Sequence, residues 1–213
     1  MLDRMVRPVK DRIVSPIAGV LARRVHPSAI TITAFAFSVV AFVCLLDHEM
    51  LRCATFWLLG RLLDGLDGAV ARRSGKQSDL GGYLDMLFDV LAYALIPLGM
   101  ALAFPSPFVL TAVAVLLAVF YVNIASWMYL SALMEKRGRV DAHAATTSVF
   151  MPSGLIEGTE TIVFYTLFIA FPGVFVILAY VMAAMTAITV VQRLVWALRT
   201  LRPPVTRVGS SAE

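Results

Sequence analysis

Along this chain, apolar residues gather into blocks close to twenty residues long, separated by short polar or Pro/Gly-bearing breaks. A helix needs about 20 such residues to cross the hydrocarbon layer of a bilayer. Six blocks meet that length, at 29–46, 51–73, 80–103, 108–134, 155–171 and 174–198, and each predicts a membrane-spanning helix. Residues 1–25 follow a different pattern. Leu2, Met5, Val6, Val9, Ile13, Ile17 and Leu21 fall on one stripe, with Arg4, Arg7, Lys10 and Arg12 elsewhere. This predicts a basic amphipathic helix lying on an anionic leaflet, divided into two short pieces by Pro8 and Pro16. The expected fold is an all-α polytopic membrane protein. It forms a single domain over 1–202, with the interfacial helix at 1–25, a six-helix bundle at 29–198 and a short polar tail at 203–213.

Composition agrees with the pattern. The 213 residues are 60% hydrophobic and 15% charged, whereas soluble domains are nearer half apolar and a quarter charged. No polar stretch exceeds about 25 residues, well short of an independent core, so neither a separate soluble domain nor a nucleic-acid partner is expected. Cys44 and Cys53 lie in or beside apolar blocks without metal-ligand spacing and read as small buried hydrophobes. The first 27 residues hold no continuous apolar core, so no cleavable signal peptide is expected.

Charge sets the orientation. Arg4, Arg7, Lys10, Arg12, Arg23 and Arg24 precede the first block; Arg72, Arg73 and Lys76 follow the second; Lys136, Arg137 and Arg139 follow the fourth; and Arg193, Arg199, Arg202 and Arg207 mark the tail. The intervening breaks hold Asp47 and Glu49 with Arg52 at the edge, Pro105 and Pro107, and Pro172-Gly173. Basic and non-basic segments alternate, as the positive-inside rule requires of six spans with both termini cytoplasmic.

Against this background, four carboxylates stand out. Asp64 and Asp67 are three residues apart, Asp85 and Asp89 four apart, so each pair shares a helical face. An acid at mid-bilayer depth costs about 2.5–3.5 kcal/mol on insertion scales, which argues for a function. The Gly75, Gly81 and Gly82 stretch between the pairs allows a helical hairpin that brings both to one end. Converging carboxylates repel unless cations intervene, and all-carboxylate ligation selects hard divalent ions. His26, His48 and His143 fall at loops or helix ends, away from such a site. Two other readings compete: acids lining an ion pathway, and Gly65, Gly68 and Ala71 as helix-packing notches.

The full spacing is Asp64-x2-Asp67-Gly68-x2-Ala71-Arg72-x8-Gly81-x3-Asp85-x3-Asp89. At every fixed position it resembles the signature of the CDP-alcohol phosphotransferase family. Eight fixed residues at roughly 5–8% usage match a given start by chance about once in 10¹⁰. Pro27-Ser-Ala-Ile-Thr31 resembles, more weakly, a Pro-x3-Thr that often opens the family's first span. The resemblance implies that Asp64, Asp67 and Asp85 ligate two divalent ions, Mg²⁺ or Mn²⁺, and that Asp89 both ligates and serves as the base. It places Gly68, Ala71, Arg72, Gly81 and Thr31 around the nucleotide. It further implies a CDP-linked lipid donor and a homodimer, in a bacterial inner membrane; the loop charges put the site at the cytoplasmic face, because Asp67 is five residues from Arg72.

The compact six-helix chain resembles members that transfer a phosphatidyl group from CDP-diacylglycerol to a small alcohol. The alternative is transfer of a CDP-linked head group, of the choline or ethanolamine type, to diacylglycerol. Members using a phosphorylated acceptor resemble one another in a Lys or Arg directly after the last Asp. Here that position is Val90, which points to an unphosphorylated acceptor of the serine, choline or inositol type. Glu157, Glu160 and Tyr93 are the candidate acceptor ligands, with Trp127, Tyr129 and Tyr121 as further aromatic candidates. A helix N-terminus stabilised by acid is the plainer account of the two glutamates. From a different class, a cation transporter using the four Asp is the rival, though polarity gathers in the cytoplasmic half and no repeat is evident.

Overall fold

The computed structural model describes residues 16–137 and 154–201, and the regular elements among them are all helical. A short helix over residues 16–21 (α1) precedes α2 (Pro27–Leu46), α3 (Met50–Ser74), α4 (Asp79–Ala103) and α5 (Pro107–Lys136). After them come α6 (Gly158–Ala170), a 3-10 turn at Pro172–Val174 and α7 (Phe175–Thr200). Most of the amphipathic segment, the 203–213 tail and His143 lie outside the described residues. The described end of that segment docks on the bundle. Ala18 is buried with Ile30, Leu66 and Val70, and Leu21, Ala22 and Val25 pack around them.

Local chemistry explains the helix ends. Pro27 and Pro107 open α2 and α5, where a missing N–H costs nothing. Ser78 and Ser106 cap α4 and α5, their hydroxyls accepting from Gly81 N at 3.1 Å and Val109 N at 3.2 Å. Gly75 closes α3 at φ 66°, a left-handed conformation that side chains other than glycine adopt with strain.

Among the described residues, four helical segments are long and apolar enough to cross a membrane: α2, α4, α5 and Pro172–Thr200. Two of the expected spans depart from that standard for different reasons. α3 has the length, but carries Arg52, Arg61, Asp64, Asp67, Arg72 and Arg73. α6 has the apolarity but 13 residues, about 20 Å at 1.5 Å per residue, and Pro172-Gly173 ends it. The bundle exterior is apolar, with Val43, Leu58, Leu102, Ile177 and Leu198 all exposed, as expected where lipid is the solvent.

α2 packs against both α3 and α4, more closely than those two pack on each other, while α5 packs along α7 and α6 joins α3 to α7. Leu45, Trp57, Ile96, Met100, Leu116, Tyr165, Phe168 and Phe175 are fully buried in one core. Trp57 and Tyr93 pack around Tyr165, tilted and edge-on, with ring centroids 5.3 and 5.7 Å away, and Tyr165 Oη donates to Tyr93 O at 2.7 Å. This aromatic floor fills one half of the α3–α4 region. The four acids lie in the other half, at Asp64 and Asp67 of α3 and Asp85 and Asp89 of α4. Cys44 and Cys53 are free, and Cys53 is buried in the core as expected.

Candidate active site

The site forms where α2 holds α3 and α4 apart. Asp64 and Asp67 project from α3, Asp85 and Asp89 from α4, and the four interact electrostatically. Asp67 is coupled to Asp64 and Asp89, and Asp85 to Asp67 and Asp89. Each carboxylate also has local partners. Asp67, 4% exposed, accepts from Thr31 Oγ1 at 2.6 Å and from Gly68 N at 2.5 Å. Asp89 accepts from Arg61 Nη1, which lies 3.7 Å from Asp64. Among the described residues, no three His, Cys, Asp or Glu side chains form a ready-made metal group. The donor chemistry still fits hard divalent ions: four carboxylate groups from two helices converge, and Arg61 offsets one of their charges.

Three of these acids line two pockets, and Asp64 lines neither. The smaller, about 170 Å³, is lined by Thr31, Asp67, Gly68, Ala71, Arg72, Gly81 and Asp85, together with Ser28, Lys76 and Ser78. All five residues expected around a nucleotide therefore line one space with two of the acids. A Cβ at Gly68 would stand 3.3 Å from Arg72 Nη1, so the glycine leaves that guanidinium room at the pocket wall. The larger pocket, about 320 Å³, is lined by Asp89, Tyr93, Asn123, Trp127, Glu157, Thr161 and Arg193, among others. Asp89 therefore faces a different space from Asp67 and Asp85.

The acceptor candidates divide. Tyr93 and Glu157 line the larger pocket, as do Trp127 and Tyr121, whereas Tyr129 is 69% exposed. Glu160 does not join them. Its Oε2 accepts from Glu157 N at 3.2 Å, completing a capping box with the Glu157 side chain at the start of α6. Glu160→Ala is therefore expected to cost about 1 kcal/mol of stability, read as a lower thermal midpoint, with the acceptor KM unchanged.

Two cations escaped the sequence reading. Arg193 counted there as a tail charge, but it lies inside α7, 3% exposed, with Nη1 donating to Asn123 Oδ1 at 2.6 Å. Its Nε is buried without a hydrogen-bond partner, and Glu157 is its electrostatic neighbour. Arg61 is the other. Its position three residues before Asp64 was the available signal, because that spacing shares a helical face.

A lipid-facing helical bundle whose acids sit between two pockets is a membrane protein built for chemistry on a charged substrate. The chain belongs to the CDP-alcohol phosphatidyltransferase family, whose profile matches residues 24–192; it is a phospholipid-synthesis transferase. It is 37% identical over 197 residues to the inner membrane protein YnjF of Escherichia coli K12, covering 92% of this chain and 94% of that protein. It is 36% identical over 78 residues to the archaetidylinositol phosphate synthase of Pyrococcus horikoshii, 37% of this chain and 42% of that one. Among solved structures it resembles the Mycobacterium tuberculosis phosphatidylinositol phosphate synthase with CDP-DAG bound, at TM-score 0.65 and 26% identity over 86% of this chain and 92% of that one. The same enzyme in complex with manganese and citrate gives TM-score 0.66 and 26% identity over 86% and 88%.

Proposed function

We propose that this enzyme transfers a phosphatidyl group from CDP-diacylglycerol to the hydroxyl of a small alcohol, releasing CMP. The observation that carries the reading is the division of the acids: Asp67 and Asp85 line one pocket with the nucleotide candidates, and Asp89 lines the other. Asp64, Asp67, Asp85 and Asp89 would hold two divalent ions, Mg²⁺ or Mn²⁺. When bound, such ions neutralise a pyrophosphate and stabilise the charge that develops on a leaving phosphate. Thr31, Gly68, Ala71, Arg72 and Gly81 would seat the cytidine diphosphate. Asp89 takes the proton of the acceptor hydroxyl; the new O–P bond forms at the β-phosphorus as the bond to CMP breaks. The reading carries six spans, cytoplasmic termini and a site at the cytoplasmic face, supported by the alternating loop charges. By resemblance it also carries a homodimer in an inner membrane.

Val90 keeps an unphosphorylated acceptor as the first reading. Arg193 favours a second, because it brings a buried cation into the same pocket from another helix, suited to an acceptor with an anionic substituent. Relatives named as inositol phosphate synthases support the second. The test is CMP release in detergent with serine, choline, inositol or glycerol 3-phosphate as acceptor. Diacylglycerol with CDP-choline tests the reverse arrangement. Turnover should need Mg²⁺ or Mn²⁺ and stop with EDTA; turnover indifferent to chelators would sink the two-ion reading. Cation flux into liposomes without CMP release would favour the transporter instead.

A further inference from the structure

Arg61 lies one helical turn from Asp64, on the side of the aromatic floor. Its side chain is 4% exposed. Nη1 donates to Asp89 and reaches Asp64, Nη2 is 3.4 Å from Ser38 Oγ on α2, and the guanidinium carbon lies 5.2 Å from the ring centroids of Trp57 and Tyr93. Nε is buried with no hydrogen-bond partner, so the hold is made through the two terminal nitrogens and the ring faces. Arg61 lines neither pocket. What it reaches is a carboxylate that does line one.

We propose that Arg61 is the positioning residue for Asp89, fixing the carboxylate at the boundary between the two pockets so that it faces the acceptor side. A planar fork gripped by rings can set the direction of a carboxylate; a lysine ammonium supplies the charge without that geometry. Arg61 also pairs with two of the four acids. It ties down Asp64 and Asp89, while Asp67 and Asp85 stay at the smaller pocket. The inference rests on the phosphatidyl-transfer reading for the work Asp89 does.

The experiment uses the full chain in detergent, with CDP-diacylglycerol and the best acceptor of the panel, and follows Mn²⁺ binding separately by electron paramagnetic resonance. Arg61→Lys is expected to lose about 100-fold in kcat, the scale of a small misplacement of a reacting group. Its KM for CDP-diacylglycerol should stay at the wild-type value, and its Mn²⁺ affinity should fall far less than its kcat. A wild-type kcat in this variant overturns the proposal, and so does loss of Mn²⁺ binding in step with kcat, which would make Arg61 a support of the whole site. Should Arg61→Lys fail to fold, Ser38→Ala decides: losing one hydrogen bond to the guanidinium should lower kcat about 2- to 10-fold with KM unchanged, and an unchanged kcat overturns the idea. Wild-type protein that releases no CMP with any acceptor defeats the reaction itself, and the role of Arg61 with it.

Discussion

Asp89→Asn is expected to fold, to bind CDP-diacylglycerol nearly as well as the wild type, and to turn over about 10³- to 10⁴-fold more slowly. Asparagine keeps the shape of the side chain and an oxygen for Arg61 Nη1, so the tie between α3 and α4 survives. It removes the basic carboxylate. Because Asp89 lines the larger pocket and not the smaller one, the damage should fall on the acceptor step and spare the donor site. Donor binding is read by ligand-dependent thermal stabilisation and turnover by CMP release. Normal turnover in the variant would remove Asp89 as the base, and loss of donor binding would place it among the nucleotide ligands.

Asp67→Asn should be as damaging by another route. Asp67 is the most enclosed of the four acids, bonded to Thr31 and to Gly68 N, with Asp64, Asp85 and Asp89 as electrostatic neighbours. In chelator the variant should be at least as stable as the wild type, because a carboxylate among like charges has been neutralised at little change in shape. In Mn²⁺ the order should reverse. A ligand that binds the folded state raises its stability with concentration, so the wild type should gain thermal midpoint while the variant gains none, and turnover should fall by at least about 10³-fold. An equal Mn²⁺-dependent rise in both proteins would take Asp67 out of the metal site. The chelator arm keeps that result separate from simple misfolding.

Much of this was legible in the sequence because it depends on local periodicity. Lipid demands that backbone groups be satisfied within each segment, so long apolar blocks could hardly be other than helices. The three- and four-residue steps likewise placed each acid pair on one face before any packing was known. The expected span at 155–171 was less secure. Its hydropathy was right, but the Glu157–Glu160 cap starts the helix at Gly158 and Pro172-Gly173 stops it, leaving 13 residues. Hydropathy measures how apolar a block is and says little about where a cap will begin it.

By itself, then, the sequence determined the helical class, the approximate bounds of the helices, the acid pairs and the ring of small and basic residues beside them. Each follows from chemistry within a few residues along one helix. The tertiary structure decided what those residues face: two pockets in place of one, Asp89 lining a different pocket from Asp67 and Asp85, Glu160 used as a cap, and Arg61 and Arg193 buried. α2 packs on both α3 and α4 and lines the smaller pocket with them, and α5 and α7 close the second pocket by bringing Asn123 to Arg193, 70 residues along the chain. Such long-range neighbours leave no periodic trace, because a lone arginine in an apolar block has the same local sequence whether it snorkels to a headgroup or turns inward.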